Sequence, residues 1–305
     1  MQEKRNKLLF ALLLGLIAIT TALYFLGNQT SEEVKSKDLF QLADTKVINR
    51  VELTSSLGKV VLSFNGTRWM VNDTVPADRD MIDVLFATVL QAEVKRPLAE
   101  NRNDSVAIEI KTSGVDVRFF EGEVLRKTFK AGGNAKKTEA YFMDETGRAY
   151  LMNIPGYRVY VSGVFELIEK QWWDKYVFPF NWSNFKDLAV TYSDKADNNF
   201  TISLQENYFA IDNLPTDTTK LNDFLDAVSL LTVDEFIEID SLRDVAPVLT
   251  IQVSDIANRM YSLSILPYVQ AGKTACLVKQ NQLAWIDNRK LARLVKNREF
   301  FRKKA

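Results

Sequence analysis

Residues 65–90 read NGTRWMVNDTVPADRDMIDVLFATVL, and this stretch decides the fold. Asn65-Gly66 is a two-residue hairpin signal. It lies between Lys59-Val60-Val61-Leu62-Ser63-Phe64 and Arg68-Trp69-Met70-Val71, both of which read as strands. Pro76-Ala77-Asp78 then supplies helix-start chemistry, a proline and a side-chain acceptor for the first free N–H groups. Met81, Ile82, Leu85, Phe86, Val89 and Leu90 follow at helical spacing, which predicts one buried face packed on a sheet. Upstream, Val47-Ile48-x-x-Val51-x-Leu53 adds a further strand.

The same order returns near residue 188. Leu188–Tyr192, Phe200–Leu204 and Tyr208–Ile211 read as strands. Leu214-Pro215-Thr216-Asp217 then opens a helix carrying Leu221, Phe224, Leu225, Val228 and Leu231. Setting Pro76 on Pro215 aligns Asp78 with Asp217, Leu85 with Phe224 and Val89 with Val228. Further on, Val106–Ile110 resembles Val248–Val253 as a strand. Ala140-Tyr141-Phe142 with Ala149-Tyr150-Leu151 matches Ala275-Cys276-Leu277 with Ala284-Trp285-Ile286. Each copy is expected to close with a helix, at Val159–Lys170 and from Asn288 to about Lys304. The period is that of a domain rather than a solenoid repeat. The expectation is an α+β protein with two tandem, duplicated antiparallel-sheet-plus-helix domains, at residues 45–180 and 181–305.

These features together, the hairpin-Trp…Pro-Ala-Asp-helix unit and its return as Phe-Ala-Ile-Asp-Asn-Leu-Pro-Thr-Asp, resemble the DUF4340 family of bacterial membrane-anchored proteins. The resemblance covers about residues 47–240. It implies an auxiliary envelope role, since genes of that family often neighbour those of a GldG-like ABC transporter. It carries over no catalytic residue.

The N-terminal region agrees with such an anchor. Leu8–Leu26 is a run of 19 uncharged residues. As a helix it would reach about 28 Å, near the hydrocarbon thickness of a bilayer. Lys4, Arg5 and Lys7 precede it and Glu32 and Glu33 follow, so the positive-inside rule sets residues 1–27 as cytoplasmic flank and signal-anchor. Residues 28–44 read as a polar linker, and the body is expected in the periplasm. The rival reading, a cleaved signal peptide, has a shorter apolar region and a small-residue cleavage site, whereas this run ends in Tyr24-Phe25-Leu26.

Composition closes off much chemistry. The 305 residues hold 39 basic and 39 acidic side chains and no histidine, which removes Ser-His and Cys-His catalysis and His-ligated zinc. The single cysteine, Cys276, excludes an intrachain disulfide and multi-cysteine metal clusters. Balanced charge gives no pull towards nucleic acid. The distribution is uneven, however: residues 8–288 carry 28 basic against 37 acidic side chains, and the C-terminal end is basic.

Two clusters remain as candidate surfaces. Trp172, Trp173, Tyr176, Phe178, Phe180 and Trp182 form the densest aromatic stretch, fit for a partner surface or for packing between the copies. Arg293, Lys296, Arg298, Arg302, Lys303 and Lys304 form a candidate docking patch for anionic lipid or an acidic partner. Gly132-Gly133 within Lys130–Lys137 lacks phosphate-loop spacing and reads as a hairpin connection. Asp234, Glu235, Glu238 and Asp240 read as the wet face of a strand, and Cys276 as an inert thiol in an apolar strand. The expected function is a non-enzymatic, membrane-anchored envelope subunit without cofactor. The alternatives are a histidine-free periplasmic enzyme using carboxylates or Lys and Ser, and a glycan- or lipid-binding module.

Overall fold

A computed structural model describes residues 13–23, 37–178, 182–205, 208–279 and 281–303, with Glu100 and Trp182 described in their backbone only. The chain divides into two compact units, Met1–Asp174 and Lys175–Ala305. Each is α+β, an antiparallel sheet with few helices.

Helix α1 covers residues 13–23. Among the described residues no helix is long and apolar enough to cross a membrane. The rest of the Leu8–Leu26 run lies outside them.

The first sheet contains β1 (Arg50–Ser55), β2 (Gly58–Phe64), β3 (Trp69–Val71), β4 (Val75–Pro76), β5 (Glu93–Pro97), β6 (Val115–Glu121), β7 (Val124–Gly133), β8 (Ala140–Met143) and β9 (Ala149–Asn153). Their order is β4-β3-β2-β1-β6-β7-β8-β9-β5. Helix α2 (Arg79–Gln91) starts where the proline and aspartate place it: the Asp78 carboxylate accepts the N–H groups of Asp80 and Met81, two of the donors a helix start leaves unpaired. Its Ile82, Leu85 and Val89 enter the main core beside Val51, Leu62, Val71, Val117 and Phe119. On the opposite sheet face, α3 (Glu100–Ser113) sets Val106, Ala107 and Ile110 against Tyr141, Met143, Ala149 and Leu151.

The second sheet contains β10 (Phe185–Tyr192), β11 (Phe200–Gln205), β12 (Tyr208–Ile211), β13 (Glu235–Ile237), β14 (Leu249–Asp255), β15 (Met260–Gln270), β16 (Lys273–Val278) and β17 (Gln282–Asp287). Their order is β12-β11-β10-β14-β15-β16-β17-β13. Strand for strand, this is the first order without its edge strand β4. Helix α4 (Thr218–Ser229) repeats α2, with the Asp217 carboxylate accepting from Thr219 and Lys220 N–H.

Each unit closes on the same clamp. The Asp78 N–H donates to the Trp172 carbonyl (2.7 Å) and the Asp174 N–H to the Pro76 carbonyl (2.9 Å). In the second unit the Asp217 N–H donates to the Phe301 carbonyl (2.8 Å) and the Lys303 N–H to the Pro215 carbonyl (2.8 Å). Each unit also opens on the same strap: the Val94 N–H donates to the Lys37 carbonyl and the Val233 N–H to the Lys175 carbonyl, both at 2.9 Å. Phe40 and Phe178, three residues beyond those lysines, are both buried. Phe40 sits among Phe129, Phe142 and Tyr150, with ring centroids 5.4–5.5 Å apart.

Several expectations are corrected. Residues 37–44 are fold rather than linker, because Phe40 and Leu42 anchor them in the core. The division falls after Asp174 rather than after 180, because Lys175–Val177 pairs with Leu231–Val233 of the second unit. Val106–Ile110 is helix, and the counterpart of β14 is β6. Val106, Ile108 and Ile110 alternate as a strand would, but only Val106 and Ile110, four apart, are buried, and Ile108 is exposed. The expected closing helices are short pieces: 3-10 turns at Val161–Val164 and Glu169–Trp172, and α5 (Asn288–Leu291) with a 3-10 turn at Arg298–Phe301. The Asn65-Gly66 hairpin is a four-residue loop between the paired Phe64 and Trp69, with the Asn65 side chain accepting from Thr67 and Arg68 N–H.

Candidate functional site

The aromatic cluster straddles the division between the units. Trp172 is wholly buried in the first unit, its indole N–H directed at the Leu167 carbonyl (3.4 Å), and Trp173 bridges to Ala77. Tyr176 and Phe178 belong to the second unit, Phe178 buried and Tyr176 exposed beside its bridge partner Thr232. Phe180 lies outside the described residues, as does the side chain of Trp182. The cluster is therefore the closing clamp of the first unit followed in sequence by the opening strap of the second. Lys37-Asp-Leu-Phe40 and Lys175-Tyr-Val-Phe178 carried that signal in the sequence.

The basic candidates separate by what they touch. Arg298 Nη2 donates to the Asp212 and Asn213 carbonyls (2.7 and 3.2 Å), holding the turn after β12. Arg302 forks Glu299 (2.6 and 2.8 Å), and this hydrogen bonding holds the Glu299 carboxyl below its usual range. Lys296 lies over the Phe300 ring, 5.1 Å from its centroid. Arg293 and Lys303 are exposed, and Lys304 lies outside the described residues.

A groove of about 560 Å³ in the second unit is lined by Ala227, Leu230, Leu231, Asp234, Asp287, Arg289, Lys290 and Arg293. Its charges form a chain. Lys290 Nζ donates to Asp234 (2.8 Å) and to the carbonyl and hydroxyl of Thr232 (both 3.1 Å). The other Asp234 oxygen accepts the Asp287 N–H (2.6 Å). Asp287 caps α5 and is gripped by the Arg289 side chain and backbone N–H, which hold its carboxyl at about 2. Both acids are thus neutralised from within, while Arg293 and the exposed Leu230 face outward. The groove offers a cation and an apolar ledge.

Other motifs have structural explanations. A Cβ on Gly133 would come within 2.4 Å of the Tyr160 ring, and the Ser162 hydroxyl donates to the Gly132 carbonyl (2.6 Å). Gly133 thus makes room for a tyrosine, and Gly132 packs beside Ile110. Glu166 accepts from both Tyr160 and Lys137 at 2.5 Å, and burial pushes the Tyr160 phenol well above its usual range. Asp240 pairs with Arg243 (3.3 Å) and Glu235 is exposed. Cys276 is buried, and that burial pushes its thiol up to about 12. Asp255, also buried, was not singled out by the sequence. Burial acts to raise its carboxyl, but N–H groups of Arg259 and Ala257 and the Arg259 guanidinium (2.6 Å) outweigh it and hold it low. No group of three or more His, Cys, Asp or Glu among the described residues is placed to hold a metal ion.

A family model described as a domain of unknown function, DUF4340, matches residues 69–248. The match opens on the first residue of β3 and ends just before β14, so it takes in α2 and α4 with their aspartate caps. No curated protein and no solved structure matches the chain. With more than half of its length matched by the family model, the chain belongs to the DUF4340 family.

Proposed function

We propose that this protein is a non-enzymatic, membrane-anchored auxiliary subunit of an envelope complex, working beside a GldG-like ABC transporter with its two units in the periplasm. The observation that carries the reading is the uncharged run Leu8–Leu26 behind Lys4, Arg5 and Lys7, long enough for one crossing and oriented by its basic flank. The common strand order, clamp and strap favour two copies of one domain arising by tandem duplication, a scaffold that multiplies surface rather than builds a single deep site. The groove at Leu230 and Arg293 favours a partner over a reaction, because its carboxylates are already bound to cations of the same unit.

The test is co-purification from detergent-solubilised membranes. The transporter's subunits should come with the full chain, and Leu230→Asp combined with Arg293→Glu should reduce their recovery. Recovery of the chain alone under several mild detergents would overturn the complex. A reporter active only outside the cytoplasm, fused after Ala305, should be active, and removing residues 1–27 should release the body from membranes. Cytoplasmic reporter activity would overturn the orientation.

A further inference from the structure

Antiparallel pairing sets the start of β10, the β11–β12 turn and the β14–β15 turn at one end of the second sheet. Turn tips are ordinarily small and polar. These two and their flanks carry Leu204, Tyr208, Ile256 and Met260, exposed at 49%, 54%, 65% and 65%. The other exposed residues described there are Ser183, Lys186, Gln205, Ala257, Asn258 and Arg259, none of them acidic. Asp187, one row inward, is half-buried, and Asp255 is buried against the Arg259 guanidinium (2.6 Å). Glu206 and Asn207 lie outside the described residues. The β14–β15 tip is firmly held. Asp255 accepts the N–H groups of Ala257 and Arg259, the Ile256 N–H donates to the Asn184 carbonyl (2.8 Å), and Lys186 Nζ donates to the Asn258 side chain (3.2 Å). Other borders of the sheets mix apolar residues with exposed acids. At the opposite end of the same sheet, exposed Tyr268 and Val269 share the surface with exposed Asp194, Asp197 and Asp212. Exposed Glu238 and Asp240 follow β13, at the far edge of the sheet. The equivalent end of the first sheet exposes Phe64, Val124 and Leu125 among Arg68, Glu123, Arg126, Glu145 and Arg148.

We propose that these two tips dip into the interfacial zone of the bilayer, with Ile256 and Met260 reaching the acyl boundary and Tyr208 lying among the headgroups. Shape selects this occupant. β10 and β14 stand between β11 and β15, so Leu204 and Met260 are about 14 Å apart across the sheet. The apolar side chains therefore project from separate convex tips, with Lys186 of β10 between them, and do not merge into one patch for a folded partner to cover. A fluid bilayer accepts separate projections, and the stems of Lys186 and Arg259 can lie along it with their charged ends among the headgroups. Asp187, Glu206 and Asp255 offset these two cations, so the docking is apolar and needs no anionic lipid. Only residues 27–36 join the Leu8–Leu26 run to Lys37, a reach of at most about 36 Å, which holds the body close to the membrane. The inference rests on the anchor reading and not on the transporter.

Fluorescence of the full chain reconstituted alone in phosphatidylcholine vesicles tests it, since the native Cys276 is buried and silent to labelling. Ala257→Cys and Gln205→Cys, each carrying an environment-sensitive fluorophore, should be quenched by nitroxide-labelled lipid about threefold more than Asp197→Cys at the opposite end. Added salt should leave this difference unchanged. Ile256→Asp with Met260→Asp should bring the label at residue 257 down to the level of that at residue 197. All these positions are exposed, and unchanged melting of each variant confirms folding. Flotation of the chain with the vesicles reports the anchor separately. A chain that floats while the labels at residues 257 and 197 are quenched equally overturns the dipping tips and leaves the anchor standing. A chain that does not float overturns both. Quenching that survives the two aspartates, or that vanishes in high salt, would overturn apolar insertion as well.

Discussion

The two units keep the same sheet, cap, clamp and strap, yet cover the second sheet face differently. The first unit spends residues 98–114 between β5 and β6 and builds α3, which sets Val106, Ala107 and Ile110 on Tyr141, Met143 and Leu151. The second spends residues 238–248 and builds a 3-10 turn at Asp240–Leu242, whose Leu242 packs with Leu266, Ala275 and Leu283. The apolar side chains of a sheet face must be shielded from water, but nothing requires that a helix do it. The clamp allows no such latitude, because backbone groups supply it and their geometry is fixed.

The largest test of this contrast is to remove the clamp aromatics. Trp172→Ala and Phe301→Ala each empty a fully buried site. Each should cost about 3–5 kcal/mol. Calorimetry of the full chain should show Trp172→Ala weakening the first unit's transition and Phe301→Ala the second's, and a shift of both by either change would break the picture of two separate cores. The cover is tested next. Ile110→Ala and Leu242→Ala should each cost about 2–3 kcal/mol by denaturant melting, with Ile110, the more deeply buried, the costlier.

The caps should behave alike: Asp78→Ala and Asp217→Ala each remove two accepted N–H bonds, for about 1 kcal/mol apiece. A marked inequality would show that one helix is held mainly by its packing. Acid should then separate the units modestly. Asp255, Asp287 and Glu299 of the second unit are held low, against Glu139 of the first, which the Tyr141 hydroxyl holds low. A depressed carboxyl stabilises above its unfolded value of about 4 and loses that stabilisation as pH falls through the folded one. For Asp287 that folded value is about 2. Melting from pH 5 to pH 2 should therefore lower the second transition more than the first. Smallest of all, Lys303→Glu should change the stability of the second unit by no more than about 0.5 kcal/mol in denaturant melting, whereas Arg298→Glu should exceed that by releasing the Asp212–Asn213 turn.

Much of this was legible in the chain. Pro-x-Asp before a period-3.6 apolar run announces a capped helix through local chemistry alone, and both α2 and α4 begin there. Alternating strands around short turns were readable for the same reason. Val106-x-Ile108-x-Ile110 was not, because it satisfies two periods at once and tertiary burial decides between them. The basic tail read as one helix from Asn288 to about Lys304, but after Leu294 its geometry follows contacts such as that of Arg298 with residues 212–213, distant in sequence. Leu90 misleads in the other direction, because it fits the buried pattern in sequence although its side chain is exposed.

Both sheets taper at their borders. The outermost strands are β4 with two residues ending in Pro76, β5 with a bulge between Val94 and Arg96 and ending in Pro97, β12 with four residues and β13 with three. The long strands, β7 with ten residues and β15 with eleven, lie inside. A border that is brief, kinked or closed by proline is a poor template for another chain's backbone. Copies of this protein can therefore be crowded together without zipping edge to edge into fibrils, and contacts between them fall to side chains on the outer surfaces.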